Sequence, residues 1–410
     1  MDRSSALTRL YGLTPKGVTL GLDRVERAAA LLGNPERDLY AVQVGGTNGK
    51  GTVSAVLAHA SARSNLCTGL FTSPHLHRFS ERIRIDGKEV SAEQLEIHLN
   101  RVLRLNDEVP ELSLSFFEVA TLAALCIFCE EKTDVCVMEV GLGGRLDATC
   151  AARPRLTAVT SVALDHTALL GDTVEAIAAE KAGIARPGVP LVAGAMEDKA
   201  YAVLKAHCEQ IGAPLLLPNR DYPSVNLDEL HLPWPGRHHA GNIAVAAELF
   251  RRVRTHFPSI REAAFFEALP SVSWPGRFEI IEANRRYILD CAHNMEAAQA
   301  LAQTFDDTGE HPSVLLYGAL RDKPAAEMLS LYRRRVSRVV LTAPPISRAA
   351  DPRDLAAPED VVAEKPADAL EAAVRLAGPS ETILVTGSLF TVAEIRRILL
   401  NEPSDPPVGL

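Results

Sequence analysis

The 410-residue sequence contains no run of about 18 consecutive apolar residues, which excludes a membrane-spanning helix of ordinary length. Its opening residues, Met1-Asp2-Arg3-Ser4-Ser5, lead into no apolar core of the kind a secretory leader carries, so neither membrane nor secretion is expected. A disulfide framework is also missing. The seven cysteines are odd in number and scattered through apolar segments, the pattern of reduced thiols in a cytoplasm. Cys126 and Cys129 make a CxxC spacing, but they lie in an apolar helical stretch with no second pair. They therefore read as small buried hydrophobes rather than half of a zinc site. An excess of basic charge is absent too. A net charge of -9 and a pI near 5.8 argue against a nucleic-acid-binding surface. No internal repeat appears, and a proline-rich tail at 402–407 reads as frayed.

What is present is enough apolar material for two domains, each with its own core: 47% of residues are hydrophobic. Through the first 270 residues, short β-branched runs alternate with longer helical ones. Strands are expected at 39–44, 135–140, 156–162, 190–193 and 215–217, and helices at 22–32, 52–62, 92–105, 117–131, 174–185 and 242–255. Such alternation predicts an α/β fold with a mainly parallel sheet covered on both faces and ligands at the carboxyl ends of strands. Prolines and a glycine at 270–276 mark a boundary, giving an ATP-binding domain at 1–271 and a smaller α/β domain at 272–410. Strands in the second unit are expected at 280–281, 287–289, 313–317, 338–342 and 382–386.

The most informative stretch is Gly46-Thr47-Asn48-Gly49-Lys50-Gly51-Thr52, between an expected strand and an expected helix. Glycines let the backbone curl with its N–H groups inward, the helix N-terminus adds positive dipole, and the lysine reaches terminal phosphates. This is a phosphate-binding loop, and a nucleoside triphosphate is its expected ligand. Two positions depart from the commonest pattern: Val44 stands where the first glycine would be, and Gly51 where Ser or Thr would hold magnesium. A metal hydroxyl ligand must then come from elsewhere.

The modified loop resembles that of the ATP-dependent amide ligases of the Mur family, and further segments resemble one branch of it, the folylpolyglutamate and dihydrofolate synthases. These are 70–76 with 79–83, 116–118, 139–149, 164–167 and 180–184, followed in the second half by 274–278 and 289–294. They run in the family's order from about residue 7 to residue 395. The resemblance implies a Mur ligase-like architecture and a ligase that adds L-glutamate to dihydropteroate or a reduced folate, with ATP and Mg2+ at two metal sites. It also implies small-molecule partners, a monomer, and a cytoplasmic enzyme that binds neither nucleic acid nor membrane. A cell-wall Mur ligase and a non-catalytic P-loop regulator remain alternatives.

Joining a carboxylate to an amine requires activating the carboxylate, and phosphoryl transfer to it depends on positioning and charge neutralisation. Glu139 ends an apolar strand before Gly-Leu-Gly-Gly, a suitable place for a magnesium carboxylate; His166 could be a second ligand and Ser73 the missing hydroxyl. Read alone, these are equally a turn residue and two capped strand ends. The resemblance assigns Ser73, Glu139 and His166 to magnesium and implies that Lys181 is carbamylated into a further metal ligand, although on its own Lys181 reads as a solvated helix lysine. It makes Lys50, Lys181 and His166 the catalytic set. It places Asn242, Arg277, Asp290 and His293 with the loop around ATP, and Phe117, Asp147 and Ala148 at the pterin. Asn242 has a helix N-cap as its plainer reading. The segment 318–323 resembles another loop facing the site. Departures from the family fall at Cys150, Met295 and Pro324, of which Cys150 bears most on substrate choice.

Overall fold

The computed structural model describes residues 5–14, 21–218 and 234–405. Its first sheet has eight strands: β1 (Ala41–Gly45), β2 (Thr68–Phe71), β3 (Ile83–Ile85), β4 (Lys88–Glu89), β5 (Val135–Glu139), β6 (Leu156–Val159), β7 (Leu191–Ala193) and β8 (Leu215–Leu216). They lie in the order β4-β3-β2-β5-β1-β6-β7-β8. All neighbours pair parallel except β3 and β4, which form an antiparallel hairpin on the β2 edge. The central strands are buried on both faces, which explains their unbroken apolar character. Strand β2 and the hairpin were not expected from the sequence. The β2 residues, Thr-Gly-Leu-Phe, carry no period of two because both faces are covered.

Helices cover the sheet. Lys50–Arg63 is buried nearly all round, so its Ala, Ser and Val residues form no clear stripe; it packs with Arg237–His256 over one face. Ala92–Glu108 and Phe116–Glu130 each start with a capping box, Ser91 with Gln94 and Ser115 with Glu118, and close a separate core on the other face. Cys126 in the second of these is buried, whereas Cys129 is exposed, so only one of the two behaves as a core residue. All seven cysteines are free.

The second sheet has six strands: β9 (Glu279–Glu282), β10 (Arg286–Leu289), β11 (Val314–Tyr317), β12 (Arg338–Leu341), β13 (Val361–Val362) and β14 (Thr382–Thr386). Their order is β13-β12-β11-β14-β10-β9, parallel except for β9 at one edge, with a hydrophobic core on each face. Residues Phe265 to Val272 pack with the first sheet's core. Among the described residues no helix is long and apolar enough to cross a membrane. The tail is not frayed where it is described. Glu402 and Asp405 are hydrogen-bonded to the first domain, because a carboxylate at each position meets donors from residues 77–79; residues 406 and 407 lie outside the described part.

Candidate active site

Register sets the site. Val44 pairs with Glu139 and Gly45 with Val159, so β1, β5 and β6 end at one level and deliver the phosphate loop, Glu139 and the chain toward His166 to a single rim. Strand β1 has β5 on one side and β6 on the other, the crevice in which open α/β sheets bind ligands. A cavity of about 640 Å3 opens there, between the two domains. Every residue expected from the sequence at the site borders it: the loop from Gly46 to Thr52, Ser73, Phe117, Glu139, Asp147, Ala148, His166, Lys181, Asn242, Arg277, Asp290 and His293.

The loop's path depends on two glycines at positive φ. Gly46 (φ 142°) lies so close to Thr160 that a Cβ would sit 1.9 Å from its Oγ1, and Gly49 (φ 86°) would place one 2.2 Å from Asn242 Oδ1. Residues after β6 pin the loop: Thr47 N–H donates to Ser161 O (2.8 Å), Asn48 N–H to Ser161 Oγ (3.0 Å) and Thr160 Oγ1 to Asn48 O (2.6 Å). Lys50 Nζ folds back onto Gly46 O and Thr47 O, 3.0 Å from each. No side chain caps the helix that follows, and its first residues, Lys50 to Thr52, border the cavity. Asn242 is not a helix cap: its helix starts at Arg237 behind Gly236, and Asn242 faces the loop from within the first two turns.

Glu139 is buried and accepts from Ser73 N–H at 3.0 Å. Burial raises its carboxyl pKa, against the pull of Lys50 and Arg277. Burial lowers the Lys50 pKa, which Glu139 and Asp165 oppose. Lys181, on the helix Val174–Ala182, is buried rather than solvated, since its helix packs that face inward; burial and the nearby Lys50 charge bring it from 10.5 down to about 7. His166 sits at φ 49° at the cavity mouth. The surrounding protein disfavours its charged form and takes the ring to about 4, against the attraction of Asp165. That direction favours the neutral imidazole, the form with a lone pair for a metal.

These donors suit magnesium. Among the described residues no group of three or more His, Cys, Asp or Glu converges on a point, so there is no all-protein cage. Mg2+ commonly takes one or two carboxylates and completes its octahedron with water and phosphate oxygens. The buried, under-compensated Glu139 is a carboxylate that a cation would stabilise.

Two of the expected site carboxylates also hold backbone. Asp147 borders the cavity, but its oxygens accept from Gly141 N (2.9 Å), Leu142 N (3.0 Å) and Thr149 N (2.9 Å), so it shapes the 141–149 loop. Asp290 accepts from Phe278 N and Ala292 N, 2.9 Å each. Cys150 is buried under the loop, with its Sγ 3.3 Å from Gly144 O, and does not border the cavity.

Comparison with known proteins agrees with this geometry. Residues 276–389 match the model of the Mur ligase glutamate ligase domain. A Bacillus subtilis protein named dihydrofolate synthase/folylpolyglutamate synthase is 30% identical over 95% of this chain and 97% of its own length. The chain belongs to the folylpolyglutamate synthase/dihydrofolate synthase family. A solved structure described as Escherichia coli FolC in complex with DHPP and ADP superposes with a TM-score of 0.87 at 30% identity, covering 98% of this chain and 99% of that one. Another, described as bifunctional folylpolyglutamate synthase/dihydrofolate synthase with Mn, AMPPNP and L-glutamate bound, gives 0.85 at 31% identity, covering 97% of each chain. A Haloferax volcanii relative named as a bifunctional folylpolyglutamate synthase/dihydropteroate synthase is 34% identical; the chain spans about half of its length (50%).

Within this family member, sequence reading passed over the hub of the site. Asp165 is buried and receives Lys323 Nζ, Asn294 Nδ2 (3.1 Å) and His293 Nε2 (3.5 Å) from the second domain, and His166 N–H (2.8 Å) from its own. Burial would raise its pKa, but His293 and Lys323 hold the carboxyl well below the usual range. Beside it, Asn48 and Asn294 exchange side-chain amide bonds of 3.1 and 2.9 Å across the domains. A carboxylate in the loop after β6, next to His166, was the available signal, but its second-domain partners lie more than 120 residues away. His238 and His239 also border the cavity, and both buried ring nitrogens of His239 lack hydrogen-bond partners.

Proposed function

We propose that the chain is an ATP- and Mg2+-dependent ligase that joins L-glutamate to the carboxylate of dihydropteroate, of folylpolyglutamate, or of both, through an acyl phosphate, releasing ADP and phosphate. The observation that carries this reading is the meeting of a phosphate loop, a buried carboxylate and second-domain cations around one cavity. The loop N–H groups and Lys50 hold the terminal phosphates, Asn242 and Arg277 flank the nucleotide, and Phe117 with Ala148 form an apolar wall for a pterin ring. Ser73, Glu139 and His166 would hold magnesium, which neutralises charge on the phosphates when bound. The carboxylate oxygen of the acceptor attacks the γ-phosphorus and ADP leaves. The glutamate amine then attacks the acyl carbon and phosphate departs with the carboxylate oxygen.

Lys181 fits a carbamate. An amine with a pKa near 7 is substantially unprotonated at neutral pH, so it can add CO2 and release a proton, replacing a cation by an anion. In this reading the domains divide at 271/272, and the enzyme is a cytoplasmic monomer.

The deciding experiment measures ADP release with and without 7,8-dihydropteroate and glutamate. Release should require both substrates for turnover, and oxygen-18 placed in the pteroate carboxylate should appear in phosphate. Labelled AMP would overturn the acyl-phosphate mechanism. Turnover indifferent to glutamate would point instead to a regulatory nucleotide-binding module, and turnover only with a cell-wall precursor to another Mur ligase.

A further inference from the structure

We infer that residues 402–405 form a strap that seats the second domain on the loop carrying Ser73, which makes Glu402 and Asp405 positioning residues for the ligation. The chain leaves the helix Leu389–Leu400 in the second domain and crosses to the first. There Asp405 N–H donates to His77 O at 2.7 Å and its Oδ2 accepts from Phe79 N–H at 2.8 Å, a two-point backbone clasp. Glu402 bridges the two bodies: Oε2 accepts from Arg78 Nη1 at 3.1 Å and pairs with His77 Nδ1 at 3.1 Å, while Oε1 accepts from Arg396 Nη1 at 2.9 Å. The His77 ring is buried beneath this junction, its Nε2 2.9 Å from Ala393 O.

Both ends of the strap lead to the site. On the first domain, Glu81 accepts from the N–H groups of residues 76, 77 and 78 and ties this segment together. Ser73, a few residues upstream, hydrogen-bonds Glu139. On the second domain, Arg396 also grips Glu279 at 3.0 Å, and Glu279 holds Gly276 N–H at 2.8 Å, next to cavity-lining Arg277. Neither Glu402 nor Asp405 borders the cavity, so their influence is transmitted through these two segments. Single half-exposed ion pairs contribute little, but a connected cluster can fix an orientation, and misplacement by about 1 Å can cost about a hundredfold in rate.

The kinetic arm of the test rests on the ligase reading; the structural arm does not. In the full chain, Glu402→Ala/Asp405→Ala should speed hydrogen exchange of the amides at 76–81 without ligand, with an unfolding midpoint within about 4 °C of wild type. The same variant should lower kcat about tenfold and raise at least about threefold the Mg2+ needed for half-maximal turnover, and Glu402→Asp should restore most of both. Wild-type exchange at 76–81, or faster exchange with unchanged kcat and Mg2+ requirement, overturns the inference. If the double variant does not fold, Asp405→Leu, which keeps the branch at Cγ but has no oxygen to accept from Phe79 N–H, carries the same readouts. A wild-type chain without glutamate-dependent turnover would sink the ligase reading and leave the exchange measurement to decide the strap.

Discussion

At the scale of single residues, Lys50, Glu139 and Lys181 carry charges whose burial the fold leaves for ligands to offset. Lys50→Ala should leave the fold intact and reduce turnover by about a hundredfold or more, because a positioned donor to developing charge is worth about 3 kcal/mol; steady-state kinetics on a variant with wild-type circular dichroism checks this. Glu139→Gln and His166→Ala should each raise the Mg2+ concentration needed for activity, since Gln is a poor ligand for a hard cation and Ala has no ring nitrogen. Unchanged magnesium titrations for both would make these residues structural. Lys181 allows a stability test with a defined sign. Its folded pKa near 7 lies below the unfolded 10.5, so the penalty for burying it is full below pH 7 and fades as pH rises toward 10.5. In CO2-free buffer Lys181→Met should therefore raise the melting temperature more at pH 6 than at pH 9, while removing turnover.

At the scale of elements, the phosphate loop was readable because its chemistry is local: glycine spacing, a preceding buried strand and a following helix all lie within about 25 residues. Its fit against Asn242 was not. Gly49→Ala would place a methyl group 2.2 Å from Asn242 Oδ1 at a φ of 86°, which combines steric overlap with backbone strain of about 1–3 kcal/mol. We expect that variant to raise the KM for ATP at least about tenfold, measured with the other substrates saturating. Strand β2 escaped sequence reading for an equally local reason: a four-residue strand buried on both faces has neither length nor alternation to distinguish it from a loop.

At the scale of the whole molecule, the buried Lys323–Asp165 pair joins the domains beside His166. Removing Lys323 takes away one of the cations on Asp165 and leaves His293 and Asn294 as its partners, so Lys323→Met should destabilise the chain by about 2 kcal/mol and raise the KM for ATP. Calorimetry with and without ADP would show it, and an unchanged transition would mean that the pair is solvated in solution.

The alternation of buried runs with helical ones, the loop Gly46 to Thr52 and the strand-end Glu139 were all determined by sequence, because short-range spacing and the burial demanded of apolar strands admit few other structures. Tertiary structure alone decided that Lys181 is buried, that Asn242 faces Gly49, that Asp147 and Asp290 have their oxygens committed to backbone N–H groups, and that the tail grips residues 77–79. Each of those depends on which distant segments come into contact, and the energy of a charge or hydrogen bond is set by that surrounding medium, which no local pattern encodes.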